Sequence, residues 1–188
     1  MKYLITISAP SGAGKTTLCK ALQEVIKELE WSISFTTRDK REMEINGIDY
    51  HFVSIDNFQE LINNNSFAEW ENVHGHYYGT EKKTLENAIT SKKFLLLEMD
   101  VKGAMSIKRL YPENTFSIFI SPPSIDHLRE RLLNRGSESI RKIETRLKRI
   151  KKELKYMNKF DHVMINENFD IAKDELIKVV NNLKNRST

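Results

Sequence analysis

Short apolar runs alternate with longer amphipathic segments along this chain. Four runs are too short for buried helices, and their continuous apolar character predicts strands covered on both faces, as in a parallel sheet. These runs lie at residues 3–9, 94–100, 116–121 and 162–166. The amphipathic segments predict helices at residues 16–29, 101–111, 124–134 and 170–183. This order predicts an α/β fold with a parallel sheet and right-handed crossovers.

Two regions interrupt the alternation. Residues 33–84 contain short strand-like pieces, and Asn46-Gly47 among them predicts a β-hairpin, so we expect a small antiparallel insert. Residues 124–157 have a nearly continuous helical pattern, with a hinge predicted at Gly136. The remaining segments form the predicted core, at residues 1–32, 85–123 and 158–188.

Composition narrows the class of protein. The 188 residues suffice for one compact domain, and 39% apolar with 30% charged residues is typical of a globular protein. No apolar run approaches the roughly 20 residues of a membrane span, and the N-terminus lacks a signal-peptide cleavage site. Cys19 is the only cysteine, which excludes an intrachain disulfide and favours the cytosol. We therefore expect a cytoplasmic protein that does not bind membranes.

The charge distribution does not favour nucleic-acid binding. The net charge is only +4, and the densest basic cluster, at residues 141–155, is interrupted by acids and contains no aromatic residues. Such a run is typical of a solvated helix face.

The segment APSGAGKTT, at residues 9–17, connects the first predicted strand to the first helix. It fits the phosphate-binding loop G-x-x-x-x-G-K-[ST] except at its first glycine. Backbone amides of such a loop and the N-terminus of the following helix stabilise phosphate groups. Lys15 is predicted to bridge the β- and γ-phosphates, and the Thr16 hydroxyl is predicted to hold Mg²⁺. The predicted nucleotide-binding residues are Ala9, Pro10, Ser11, Gly12, Ala13, Gly14, Lys15, Thr16 and Thr17.

Ala9 stands where the loop pattern has its first glycine. A methyl group is tolerated there if φ is negative and Cβ points away from the ligand. Ala9 ends a predicted strand, and Pro10 favours an extended conformation for the residue before it. We therefore expect the loop to work with alanine.

The insert carries candidates for a second anion site. Arg38 and Arg41 lie three residues apart and precede Tyr50. Two guanidinium groups and a phenol suit the dianion of a phosphomonoester. The ligand bound at this second site is therefore predicted to carry a phosphate group of its own.

A carboxylate in the insert predicts which base the ligand of the second site carries. Glu69 precedes Tyr78 and Thr80 in FAEWENVHGHYYGT. A carboxylate accepts hydrogen bonds from guanine N1–H and the exocyclic amine, whereas adenine has no N1–H. The Ser34 and Thr80 hydroxyls are candidates to donate to the guanine O6. The cluster predicts selection of guanine.

Seven motifs occur in the order seen in guanylate kinases: SAPSGAGKTT, SISFTTRDKR, NGIDYHFVS, FAEWENVHGHYYGT, LLLEMDVKGA, FISPPS and RLLNRGSESIRKIETRL. The chain resembles this family over nearly its whole length, with one domain predicted at residues 2–184. The resemblance implies transfer of the ATP γ-phosphoryl group to GMP with Mg²⁺. It also implies a phosphate-loop core, a GMP-binding insert at residues 33–84 and a helical lid at residues 124–157.

The resemblance also assigns substrate roles. It implies that Arg38, Arg41, Tyr50 and Tyr78 hold the GMP phosphate, and that Ser34, Glu69 and Thr80 read the base. Thr80 stands where many members have serine. Two further acids are predicted substrate-binding residues: Glu98, which replaces the aspartate of many members, and Asp100.

The catalytic residues implied by the resemblance are cationic: Lys15, Arg38, Arg131, Arg135 and Arg146. The last three lie in the predicted lid and are expected to reach the ATP phosphates when it closes. Asn166 matches a position near adenine. No histidine is predicted to act in catalysis.

Three other functions remain open at this point. Another phosphate-loop kinase, such as a ribose bisphosphate kinase, would share the architecture, but Glu69 with Ser34 and Thr80 favours a guanine acceptor. A guanylate-kinase-like scaffolding module typically loses the phosphate loop, which is intact here. A nucleic-acid-binding ATPase is disfavoured by the modest charge. The sequence does not predict an oligomeric state.

Overall fold

Nine strands and seven α-helices appear in a computed structural model that describes residues 1–73, 75–134 and 140–185, with only the backbone described for Arg131, Asn134 and Lys142. The strands are β1 (Leu4–Ser8), β2 (Glu30–Trp31), β3 (Phe35–Thr36), β4 (His51–Phe52), β5 (Phe67–Val73), β6 (His76–Glu81), β7 (Leu95–Glu98), β8 (Thr115–Ser121) and β9 (His162–Ile165). The helices are α1 (Lys15–Val25), α2 (Ile55–Asn63), α3 (Lys82–Thr90), α4 (Val101–Leu110), α5 (Ile125–Asn134), α6 (Ile140–Leu154) and α7 (Phe169–Asn185). A 3₁₀ turn spans Met157–Lys159. Within the described residues, no helix is long and apolar enough to cross a bilayer.

A five-stranded sheet in the order β2-β7-β1-β8-β9 forms the centre, and each of its pairings is parallel. Alternate residues of β1 point to opposite faces: Ile5 and Ile7 pack with buried residues of α1, α5, α6 and α7, whereas Leu4 packs with α3 and α4. Helices therefore cover both faces, which explains the continuous apolar runs. The predicted α/β fold with a parallel sheet is confirmed.

The second sheet lies wholly within the predicted insert, in the order β4-β3-β6-β5. Its β3–β6 and β5–β6 pairs are antiparallel, whereas β3 and β4 are parallel. The hairpin predicted at Asn46-Gly47 is wrong. Parallel neighbours need a crossover, and side chains bond the backbone in that connection: Asp49 accepts from the Ile45 N–H and Asn46 from the Phe52 N–H.

The helical pattern predicted after β8 corresponds to α5 and α6. The apolar face of α6 buries Ile143, Leu147 and Ile150 against the core that α1 and α7 also cover. An ion pair between Arg129 and Glu144 links the two helices. Gly136, where a hinge is predicted, lies outside the described residues.

Candidate active site

The loop between β1 and α1 turns sharply where the parallel strands end. Gly12 and Gly14 have φ of +89° and +87°, a region that side-chain-bearing residues rarely adopt, and Gly14 forms the N-cap of α1. The Ala13 N–H donates to the Pro10 carbonyl at 3.1 Å, which closes the turn. The backbone thus has the strand–loop–helix form of a phosphate-binding loop.

Ala9 does not disturb this loop. Among the described residues, the non-glycine residues with positive φ are Asn65 and Lys92, so Ala9 has the negative φ that its position requires. Its side chain belongs to the core cluster of Ile5 and Ile7. The core accommodates the methyl group, as the steric argument predicts.

Asn166, which follows β9, supports the loop from behind. Its side-chain amide donates to the Ala13 carbonyl at 2.7 Å, and the residue is 5% exposed. A Cβ built on Gly14 would lie 2.5 Å from Asn166 Nδ2, so the contact leaves no room for a side chain at Gly14. The structure therefore places Asn166 against the loop backbone.

The loop opens onto a cavity of about 420 Å³, called here the phosphate-loop cavity. Residues from the loop, the insert, β5, α6 and the region after β7 line it: Ala9, Pro10, Ser11, Gly12, Gly14, Lys15, Thr16, Thr17, Arg41, Val73, Asp100, Arg146, Arg149, Ile150 and Glu153. Ala13 is fully buried behind them. Of the sequence-predicted loop residues, all but Ala13 therefore face one cavity.

Lys15 and Thr16 at the start of α1 both contact the end of β7. The Lys15 ammonium donates to the Met99 carbonyl at 2.9 Å and lies 3.7 Å from Glu98 Oε1. The Thr16 hydroxyl donates to the same carboxylate oxygen at 2.5 Å. The longer side chain of Glu98 thus reaches both functional groups of the loop.

Helix α6 brings one predicted and two unpredicted charged residues to the cavity. Arg146, a predicted lid residue, lines it together with Arg149 and Glu153. These positions lie three and seven residues after Arg146, on the same helix face, so helical spacing could have identified them. Of the other predicted lid residues, Arg135 and the side chain of Arg131 lie outside the described residues.

A larger cavity of about 860 Å³ lies between the core and the insert, and is called here the insert cavity. Seven of the predicted site residues line it: Thr16 of the loop, and the predicted substrate-binding residues Ser34, Arg38, Arg41, Tyr50, Tyr78 and Glu98. The Tyr50 and Tyr78 rings meet edge-on at 5.9 Å, and the Arg38 guanidinium lies 5.5 Å from the Tyr50 ring centre. Burial and the Glu98 carboxylate raise the pKa of Tyr50 to about 12, so the phenol stays a hydrogen-bond donor at neutral pH.

Glu44, which sequence reasoning missed, holds Arg38 in this cavity. Arg38 Nη2 lies 2.7 and 3.0 Å from the two Glu44 oxygens, and the Arg41 N–H donates to Oε2 at 2.8 Å. The hydrogen bond from Arg38 lowers the pKa of Glu44. Glu44 lies within the charged run RDKREME, a composition also typical of exposed loops, so local sequence did not reveal its role.

Glu69 and Thr80 lie outside the walls of both cavities and next to the start of α4. Cross-strand pairing of β5 and β6 puts them opposite each other, and the Thr80 hydroxyl donates to Glu69 Oε1 at 2.5 Å. Burial raises the pKa of Glu69 to about 7, opposed by the Thr80 hydrogen bond and reinforced by Asp100. A Cβ on Gly103 would lie 3.0 Å from Glu69 Oε2.

Asp100 lies between Glu69 and the phosphate-loop cavity. It caps α4 by accepting hydrogen bonds from the Lys102 and Gly103 N–H groups at 3.0 and 2.8 Å. It also lines the cavity itself. The carboxyl end of β7 thus carries acids toward both the loop and the insert.

The two cavities adjoin. Thr16 and Arg41 lie in the walls of both, one from α1 and one from the insert. Two cavities rich in cationic and hydroxyl groups, with a phosphate-binding loop at their junction, can hold two phosphorylated ligands next to each other.

The comparisons with known proteins point to one family. The family model for guanylate kinase matches residues 1–183. Guanylate kinase from Wolinella succinogenes is 42% identical over 176 residues, which cover 94% of this chain and 82% of that protein. Guanylate kinase from Caldanaerobacter subterraneus is 43% identical over 177 residues, which cover 94% of this chain and 85% of that protein.

A solved structure has a similar fold. The crystal structure of guanylate kinase from Anaplasma phagocytophilum superposes with a TM-score of 0.80 at 30% sequence identity, covering 96% of this chain and 85% of that one. Sequence, fold and site geometry therefore lead to one conclusion: the chain belongs to the guanylate kinase family.

Proposed function

We propose that the protein transfers the γ-phosphoryl group of ATP to GMP and releases ADP and GDP. The observation that carries this proposal is that the phosphate-loop cavity and the insert cavity share Thr16 and Arg41 in their walls. Direct transfer requires the donor and acceptor phosphates to meet in line. A GMP phosphate oxygen bonds to the γ-phosphorus as the bond to the ADP oxygen breaks. Because this acceptor oxygen is already anionic, no strong base is required.

ATP is assigned to the phosphate-loop cavity. The loop at residues 9–17 would hold the triphosphate, largely through its unpaired backbone N–H groups, and Lys15 would contact the β- and γ-phosphates. Arg146 supplies charge from α6, and Arg131 and Arg135 act from the same lid segment. Asn166 is assigned to this side of the site because it supports the loop through the Ala13 carbonyl.

Mg²⁺ is assigned to the Thr16 hydroxyl. The Thr16 and Glu98 oxygens, 2.5 Å apart, are the hard ligands that this ion prefers. Within the described residues, no group of three or more histidine, cysteine, aspartate or glutamate side chains could hold a metal. That suits an ion that takes most of its ligands from phosphates and water. When bound, Mg²⁺ supplies charge neutralisation at the ATP phosphates.

GMP is assigned to the insert. Arg38, Arg41, Tyr50 and Tyr78 hold its phosphate, with Arg38 also stabilising the transferring group. Three residues read guanine: Ser34, Glu69 and Thr80. Glu98 and Asp100 complete the substrate-binding set. The hydrogen bond from Thr80 orients the Glu69 carboxylate that guanine needs. Because the single Thr80 O–H is used there, Thr80 acts on the base through Glu69, and donation to the guanine O6 is assigned to Ser34.

The lid at residues 124–157 is proposed to close over the ATP phosphates during the reaction. Closure would exclude water from the transferring phosphoryl group. We also assign the protein to the cytosol, supported by a single cysteine, Cys19, whose side chain is buried.

A coupled assay of ADP formation tests the proposal. With ATP and Mg²⁺ present, GMP, AMP, UMP and no acceptor are compared at equal concentrations. GMP should support a rate far above the others, because a carboxylate at Glu69 leaves adenine N1 facing an acceptor. Equal rates with AMP and GMP would overturn the assignment of the base site. No acceptor-dependent ADP formation at all would favour a scaffolding module.

A further inference from the structure

Helix α6 presents a second arginine to the phosphate-loop cavity besides Arg146. Arg149 lines the cavity together with Lys15 and the loop glycines. It lies three residues after Arg146, so both side chains leave the helix on one face. By contrast, Lys148 on the same helix is exposed and does not line the cavity.

The neighbouring carboxylate of Glu153 holds Arg149. Arg149 Nε donates to Glu153 Oε1 at 2.8 Å, and the side chains are 37% and 13% exposed. Burial raises the pKa of Glu153, and the Arg149 charge lowers it in opposition. Asp100 raises and Lys15 lowers the same pKa, so Glu153 lies within electrostatic reach of the groups that surround the loop.

Helix stability alone does not account for this pair. Glu153 is the second-last residue of α6, where the helix dipole disfavours an acid. An arginine four residues N-terminal to a glutamate is also the weaker orientation of such a pair. A largely buried carboxylate in this position is costly unless neighbouring cations offset it. The arrangement is better explained by the cavity it faces.

We propose that Arg149 binds a phosphate group of ATP and that Glu153 is a positioning residue that holds its guanidinium over the cavity. This inference rests on the proposed function and adds a residue to it. Arginine has five N–H donors in a planar fork, so contact through Nε is compatible with phosphate binding by the outer nitrogens. Among the described residues, the cavity walls then contain four cations, Lys15, Arg41, Arg146 and Arg149, against two carboxylates, Asp100 and Glu153.

The test compares Arg149→Ala and Arg149→Lys with Lys148→Ala. Lys148→Ala is the matched control, because it removes one positive charge from the exposed side of the same helix. Loss of a charge-assisted phosphate contact should lower kcat/KM for ATP roughly 10- to 100-fold in Arg149→Ala. Arg149→Lys should recover part of that loss, and Lys148→Ala should stay within about twofold of the unmodified protein. All four proteins should melt within a few degrees of one another.

Binding provides a readout independent of turnover. Calorimetric titration with the β,γ-imido analogue of ATP and Mg²⁺ should show weaker binding by Arg149→Ala, with KM for GMP unchanged. Equal effects of Arg149→Ala and Lys148→Ala, or a change confined to GMP, would overturn the inference. If the unmodified protein neither binds the analogue nor forms ADP, the proposed function itself fails.

A double-mutant cycle tests the role of Glu153. Glu153→Gln keeps an acceptor for Nε but removes its charge, so it should lower kcat/KM for ATP by roughly 3- to 10-fold. In the Arg149→Ala background the same change should have no further effect, because Glu153 acts through Arg149. Independent, additive losses would contradict the positioning role.

Discussion

The phosphate-loop cavity and the insert cavity are built from different parts of the chain. Main-chain turns at Gly12 and Gly14 shape the first, close to a buried strand and the N-terminus of α1. Side chains from separated segments shape the second, where Glu44 holds Arg38. Behind it, Thr80 on β6 orients Glu69 on β5.

The difference explains how each site gains specificity. Backbone amides bind phosphate on any nucleotide, because they contact groups that all nucleotides share. Side-chain carboxylates and hydroxyls distinguish bases, because donors and acceptors differ between guanine and adenine. We therefore expect changes at the loop to reduce all activity, and changes at the base-reading residues Ser34, Glu69 and Thr80 to act on GMP alone.

The largest effect is expected at Lys15. Lys15→Ala should lower kcat by about 1000-fold, because it removes the ammonium that stabilises the transferring phosphoryl group. The coupled ADP assay measures the loss. Lys27→Ala removes an exposed lysine that follows α1 and should retain full activity. A Lys15→Ala variant with more than a tenth of the original rate would contradict the role of the loop.

Gly14→Ala should have the next largest effect. Gly14 has a φ of +87°, which is strained for alanine, and an alanine Cβ there would lie 2.5 Å from Asn166 Nδ2. The loop would therefore have to move. We expect about 100-fold lower kcat/KM for ATP and a loss of roughly 2 kcal/mol or more in unfolding free energy. Gly75→Ala measures the cost of backbone strain alone, because Gly75 has a φ of +86° and an added Cβ would lie in open space. It should cost about 1 kcal/mol and leave activity intact. Equal losses in the two variants would show that the Asn166 contact is unimportant.

Glu69→Gln should affect the use of GMP only. Losing the charged carboxylate that accepts hydrogen bonds from guanine should lower kcat/KM for GMP about 30-fold, since a hydrogen bond to a charged group contributes about 2 kcal/mol. KM for ATP should stay unchanged. Rates with a GMP and AMP series at fixed ATP provide the measurement. An unchanged preference for GMP would mean that other residues read the base.

The same substitution should change the pH dependence of stability. The pKa of Glu69 in the folded protein, about 7, lies above its ordinary value of 4.5, so the folded state binds more protons than the unfolded state between these values. The contribution of Glu69 to the free energy of unfolding therefore decreases as the pH rises through that range. Glutamine does not ionise, so the Glu69→Gln variant lacks this decrease. Urea unfolding should show the variant gaining up to about 3 kcal/mol relative to the original between pH 5 and pH 8. A pH-independent difference would contradict the burial of an ionisable Glu69.

The smallest effect is expected at Glu44. Glu44→Gln weakens the hold on Arg38 without removing the arginine, so KM for GMP should rise about fivefold with kcat nearly constant. Glu42→Gln changes an exposed acid in the wall of the same cavity and is the control. A fall in KM for GMP would show that Glu44 competes with the phosphate.

Local sequence determined the elements whose signals are complete within a few residues. Continuous apolar runs such as LITIS specify β1 because the strand is buried on both faces. Glycines at positions 12 and 14, followed by Lys15, specify the phosphate-binding loop because its shape depends on backbone dihedrals. The same locality explains why Ala9 could be judged harmless from sequence.

Tertiary structure decided the rest. The two-residue strand β2 is too short to carry a pattern, and Asn46-Gly47 forms a crossover turn because β3 pairs with β4 in parallel. The contacts of Asn166 with Ala13 and of Glu44 with Arg38 depend on where segments meet in space. Hydrophobic periodicity identifies the face that α6 buries, but only packing onto the core reveals what its charged residues face.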